Sequence, residues 1–158
     1  MSLSPELRDS YLSMFRDIHP DIAVTLKTRP DSGLRQQAML KLLTRCDARV
    51  ARVSLGRNWC RKPQSERFQG VFVLEYGRMG ISPHWHGLVR SPDGDTERFR
   101  WLIKNAWEGL RWPAWTQTDP VVLEKYSEKA TYILKELHDD SVDRVVFTNM
   151  LRGNEAQD

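Results

Sequence analysis

The sequence predicts an α+β fold, an antiparallel sheet with helices packed on it. Two observations carry this. Short stretches with period-2 alternation, such as Ile22-Ala23-Val24-Thr25-Leu26-Lys27, interleave with longer stretches of helical spacing, such as Leu34 to Leu55. Turn-forming clusters separate them, among them Pro30-Asp31-Ser32-Gly33 and Ser91-Pro92-Asp93-Gly94. With 158 residues, 40% hydrophobic and 28% charged, the chain can bury one real core, and neither a disordered nor a membrane-embedded composition is indicated.

The elements follow in order. Ser4 and Pro5 open a helix, with Ser4 as N-cap, and Leu7, Tyr11, Met14, Phe15 and Ile18 share its apolar side. Pro20 stops it. Residues 21–28 read as a half-buried strand. A helix from Leu34 sets Leu34, Ala38, Leu42 and Arg45 on one face, with Met39 and Leu43 beside them, and ends near Leu55, before Gly56. Residues 57–69 are polar and basic and read as a loop. Val71 to Tyr76 is a strand of strong β-formers. Residues 77–83 are turn chemistry, and His84 to Arg90 is the partner strand of a hairpin. Asp95 caps a helix carrying Phe99, Leu102, Ile103, Ala106 and Leu110, ended by Trp112-Pro113. Val121 to Leu123 is a short strand, Ser127 or Glu128 to His138 a helix, and Val142 to Thr148 a last strand. The inner order is βαββαβ, which suggests a ferredoxin-like or RRM-like sheet. The layout is one domain over residues 1–158, with an N-terminal helix (1–20), a core (21–148) and a flexible tail (149–158), frayed from about Arg152.

No apolar run is long enough to span a membrane. The N-terminus lacks a charged-then-apolar signal pattern, so a reducing cytoplasm is the expected location. Cys46 and Cys60 are far apart without a CxxC and read as free thiols. The net charge is +3. The distribution of charge is more informative than its sum. Arg57, Arg61 and Lys62 flank Trp59, and Arg98 to Trp101 and Arg111-Trp112 repeat the basic–aromatic mixture. Lys27 ends the first strand. Such a surface suits a phosphate backbone, and one or two of Trp101, Trp107, Trp112 and Trp115 would serve as stacking platforms for bases. His19 and His138 have no partner in the pattern and read as structural or exposed.

The chemistry gathers around His84-Trp85-His86. In a strand, residues two apart share a face, so the two imidazoles project together while Trp85 points into packing. Glu75 lies at the end of the preceding strand, and an acidic residue in an apolar strand needs a partner. If the hairpin sets Glu75 opposite His84 or His86, all three converge. Two imidazoles and one carboxylate with open positions suit Mg²⁺ or Mn²⁺ acting on a phosphate; Zn²⁺ or Co²⁺ would bind at least as tightly in vitro. Downstream, Tyr126-Ser127-Glu128-Lys129 and Tyr132-Ile133-Leu134-Lys135 are two Tyr-x-x-Lys units on a predicted helix. A tyrosine hydroxyl can attack phosphorus, and a lysine beside it can neutralise the phosphate. Tyr132 is the preferred nucleophile, because Lys129 and Lys135 lie three positions away on either side. Tyr126 stands as the alternative, and on a helix the two project about 120° apart.

This set resembles the HUH endonuclease superfamily, and within it the rolling-circle replication initiators with one catalytic tyrosine. His84 and His86 match the His-hydrophobic-His motif, Glu75 the upstream acidic ligand, and Tyr132 with Lys135 or Tyr126 with Lys129 the tyrosine motif. Residues 23–27 match the Thr-containing first strand loosely. The resemblance covers roughly residues 21–148. It implies a ferredoxin-like core and metal-dependent, sequence-specific nicking and rejoining of single-stranded DNA through a 5′-phosphotyrosine. That chemistry initiates rolling-circle replication of a plasmid, phage or other mobile element. The DNA would be an origin or element end, with or without a hairpin. With no Walker-type glycine loop, the chain would rely on a host helicase and polymerase, or be a domain cut from something longer. The alternatives are an HUH transposase of a single-stranded insertion element, which a strand-transfer assay would separate, and a non-catalytic single-stranded nucleic-acid-binding module, which would form no covalent adduct. An unrelated jelly-roll metalloenzyme would want another acidic ligand soon after the histidines, and none precedes Asp93.

Overall fold

The structure, a computed structural model, describes residues 3–29, 32–77, 80–110, 121–122, 126–135, 137 and 139–152. Helix α1 (Pro5–Ile18) starts where the sequence places it. The Ser4 hydroxyl accepts from the Leu7 N–H at 3.3 Å, and Pro5 occupies the first turn, where its missing N–H costs nothing. His19 closes the helix in the left-handed region (φ 50°), its N–H donating to the Arg16 carbonyl. Strand β1 (Ile22–Lys27) follows, with Ile22, Val24 and Leu26 buried as its alternation predicts.

Helix α2 (Gln36–Leu55) stops at Gly56, whose φ of 82° only glycine adopts without strain. The polar stretch after it contains two 3₁₀ turns, Trp59–Arg61 and Gln64–Glu66, where the sequence predicts only loop. The hairpin is β2 (Gln69–Glu75) and β3 (His84–Arg90), paired from Gln69↔Arg90 to Glu75↔His84. Helix α3 (Thr96–Glu108) is capped by Asp95, whose carboxylate accepts from the Arg98 N–H at 3.0 Å. Strand β4 (Val121–Val122), helix α4 (Tyr126–Lys135), strand β5 (Val145–Phe147) and helix α5 (Thr148–Arg152) complete the order.

The result is a mixed α+β architecture with an open, antiparallel sheet in the order β4-β1-β3-β2-β5. Each face is covered. On one, Ile22, Val24, Phe72, Trp85 and Val89 meet Leu43 and Val50 of α2 and Phe99 and Ile103 of α3. On the other, Val71, Val73 and Leu88 meet Phe15 of α1 and Ala130, Ile133 and Leu134 of α4. The contact at Gly87 is close: an added Cβ would lie 2.5 Å from the Phe72 ring, so no other residue fits without displacing the core.

Two expectations at the C-terminal end are corrected. The last strand is three residues long, because Asp139–Arg144 forms 3₁₀ turns before it and the Thr148 hydroxyl accepts from the Gly70 N–H after it. The tail does not begin at 149. Residues 148–152 are helical, Leu151 lies in the core, and the Arg152 guanidinium is buried against Asp47 of α2 at 2.9 Å. Asp47 faces the core, and an unpaired carboxylate there is costly, so the pair ties α5 down. A further bond from Arg152 to the Phe68 carbonyl ties it to the start of β2.

Candidate metal centre and the tyrosine helix

Alternation along β3 sorts its residues by chemistry. His84, His86 and Leu88 face α1 and α4, while Trp85 and Val89 face α2 and α3. Two neighbours complete the histidine row. On one side β2 places Glu75 opposite His84, and on the other β1 places Lys27 opposite His84 and Thr25 opposite His86. Glu75 is thus the direct cross-strand neighbour of His84 and the diagonal neighbour of His86, within reach of both. Its Oε2 lies 2.9 Å from His84 Nε2 and 2.8 Å from His86 Nε2. The imidazoles meet edge to face, 4.9 Å between centroids.

The outer nitrogens are also held. His84 Nδ1–H donates to the Ser82 carbonyl at 2.9 Å, which leaves Nε2 as the atom aimed at Glu75. His86 Nδ1 lies 3.2 Å from the Thr25 hydroxyl. Such outer contacts fix ring orientation, as they do around metal-ligating histidines. The three side chains are 17–19% exposed, so solvent or a small ion reaches them while the rings stay seated.

Hydrogen bonds from His84 and then His86 pull the Glu75 carboxyl down to about 2, against the upward push of burial. For His84, burial pushes downward, but the Glu75 hydrogen bond and charge with the Ser82 carbonyl outweigh it, and the net direction is up. The site therefore combines a firmly ionised carboxylate with imidazole nitrogens pointed at it. The three ligand atoms lie within 4.8 Å of one another, the one such group among the described residues. A divalent cation fits this donor set, because it satisfies the carboxylate charge and both ring nitrogens together.

Helix α4 brings the tyrosine to this cluster. Ala130, Ile133 and Leu134 are buried against the sheet, while Tyr132 and Lys135 keep their side chains exposed. The Tyr132 ring stands edge-on to His86, 6.0 Å between centroids, and is 53% exposed. Tyr132 and Lys135 line one pocket. Tyr126 and Lys129 belong to the same helix, but their side chains lie outside the described residues.

The predicted DNA contacts divide. Lys27 pairs in register with His84, at the end of the sheet that carries Glu75 and the histidines. Arg57, Arg61 and Lys62 do not reach it. They precede the start of β2, and Gln69 is six residue steps, or about 20 Å, along the strand from Glu75. Arg67, packed 4.7 Å over Trp59, holds that loop at the far end, and Lys62 is paired with Glu66 at 3.5 Å. Trp107 is no stacking platform: it is fully buried, its indole N–H donating to the Lys27 carbonyl at 2.8 Å. Trp101 is exposed on α3. Trp112, Trp115 and His138 lie outside the described residues, and His19 is the α1 cap.

Two supports of the site leave no mark in residue type or spacing. Thr25 is visible only as part of a strand, and its role needs the β1–β3 pairing, which joins segments 61 residues apart. Ser82 acts through its carbonyl, and a backbone atom leaves no signature in residue type. No protein-family model, curated protein or solved structure matches the chain.

Proposed function

We propose that the chain is a metal-dependent endonuclease and transesterase of the HUH type, which nicks and rejoins single-stranded DNA at a specific sequence. The observation that carries this reading is the Tyr132 ring against His86. It unites a candidate nucleophile with a two-imidazole, one-carboxylate cluster. The inner βαββαβ order and the β4-β1-β3-β2 arrangement support a ferredoxin-like core for it.

The roles follow from the chemistry. His84, His86 and Glu75 hold Mg²⁺ or Mn²⁺. That ion, when bound, makes the scissile phosphate more electrophilic by polarising a nonbridging oxygen. Thr25 and Ser82 keep the imidazole rings turned to the site. The Tyr132 hydroxyl attacks phosphorus; its Oη–P bond forms, the P–O3′ bond breaks, and the departing 3′ oxygen takes up a proton as the tyrosine loses one. Lys135 neutralises charge on the phosphate. Attack by a 3′ hydroxyl on the phosphotyrosine reverses the step and joins strands. Initiation of rolling-circle replication of a mobile element, with host helicase and polymerase, is the setting this chemistry serves.

The test uses labelled single-stranded oligonucleotides with Mn²⁺. Tyr132→Phe should keep DNA binding and lose nicking, and EDTA should stop nicking by the wild-type chain. Nicking that persists in metal-free protein, or in Tyr132→Phe, contradicts the reading.

A further inference from the structure

We infer that the pocket between α1 and α4 is a nucleotide subsite for the strand Tyr132 attacks, and that Arg8 of α1 is its phosphate-holding residue. The inference rests on the proposed function and assigns part of its substrate binding to a helix outside the βαββαβ core.

The pocket has a volume of about 440 Å³, within the range of small-ligand sites and sufficient for a nucleotide. Its character is split. Leu3, Leu134 and Leu137 are buried and give an apolar floor. Arg8 and Lys135 are exposed and give a cationic rim. Neither cation has an ion-pair partner among the described residues. Two like charges on one cavity repel each other and are relieved by an anion. A nucleotide offers both halves of the match, a phosphate for the rim and an apolar base face for the leucines.

Tyr132 connects this pocket to the metal centre. It is part of the pocket wall, and its ring stands against His86. A strand whose phosphate lies over the histidines therefore continues into the pocket with its next nucleotide. Arg8 reaches that position because Phe15 and Leu3 dock α1 on the same sheet face as α4. The N-terminal helix thus holds substrate as well as covering apolar surface.

The experiment measures binding of a fluorescein-labelled single-stranded oligonucleotide to the full chain in EDTA, by anisotropy across a salt series. Adduct formation with Mn²⁺ is measured separately. Each phosphate contact on a single strand contributes about 0.7 to the slope of log K against log salt. Arg8→Ala should lower the slope by about 0.7, weaken binding several-fold and raise KM for adduct formation with kcat little changed. Arg8→Lys should restore the slope, which a purely structural role would not require. An unchanged slope and KM in Arg8→Ala, with normal adduct formation, overturns the subsite, as does absence of oligonucleotide binding by the wild-type chain. An Arg8-dependent slope without any adduct from the wild-type chain leaves the subsite standing and removes the transesterase reading.

Discussion

The two faces of the β2–β3 hairpin differ in kind although they are built from alternate residues of the same strands. On the α2–α3 face, Trp85 and Phe72 are fully buried and Gly87 leaves no space for a methyl group. On the α1–α4 face, His84, His86 and Glu75 sit at the strand ends where the apolar layer of Val71, Val73 and Leu88 gives out, and they remain accessible. On β3, Trp85 and Val89 therefore pack into one core, while the alternate positions His84 and His86 reach the accessible face and Leu88 the second core. Tight packing lies behind the histidine backbone; in front, the three side chains stay 17–19% exposed.

The largest effect expected from breaking this division is on the packed side. Trp85→Ala removes a fully buried indole and its hydrogen bond to the Met39 carbonyl, and should cost about 3–5 kcal/mol in denaturant unfolding. His86→Ala, one residue away, should cost about 1 kcal/mol or less and act on metal binding instead. Equal losses of stability would show that the faces are not separated. Asp47→Ala should rank beside Trp85→Ala, at about 3–5 kcal/mol, because it strands the buried Arg152 guanidinium. Chemical denaturation together with hydrogen exchange in α5 checks it, and an α5 that stays protected would contradict the anchoring.

On the open face the effects are smaller and conditional. A divalent ion at about 100 times its Kd should raise stability by about 2.7 kcal/mol. Glu75→Gln and His84→Ala should abolish that gain, as read by the shift in Tm with added Mn²⁺. A full shift in either variant would place the ion elsewhere.

The smallest effect is the pH dependence of the metal-free chain. Glu75 is depressed from its ordinary 4.5 to about 2, so its contribution is present above 4.5 and lost as pH falls towards 2. His84 is raised above its ordinary 6.5, so its contribution is complete below 6.5 and lost as pH rises through the folded value. The pair should stabilise the fold most between about pH 4.5 and 6.5, and Glu75→Gln should flatten both edges of the profile. Divalent-ion affinity should run the other way and increase with pH as the ion displaces the His84 proton.

What the sequence reveals follows the range of the interactions involved. The Glu75–His84 pairing is local to one hairpin; alternation with a turn between leaves Glu75 opposite either His84 or His86, and the strand register sets it opposite His84. The inward side of α3, with Phe99, Leu102, Ile103 and Ala106, follows from helical spacing, and all four are buried, as is Leu110 just past the helix end. The misplaced features depend on distant partners. Arg152 resembles a tail residue until Asp47, 105 positions away, is set beside it. Thr25 meets His86 only because β1 enters the sheet beside β3. The Tyr-x-x-Lys spacing nominates two residues; packing of α4 against β3 sets the Tyr132 ring beside His86, while the Tyr126 side chain lies outside the described residues.

The account depends on Tyr132 and the His84–His86–Glu75 cluster acting on one phosphate. The most direct measurement incubates the chain with pooled single-stranded oligonucleotides and Mn²⁺, isolates any denaturation-resistant adduct and maps the modified residue by mass spectrometry. The account predicts an adduct on Tyr132 that requires the metal and disappears in His86→Ala; an adduct on Tyr126, or none from the metal-loaded chain across the pool, would contradict it.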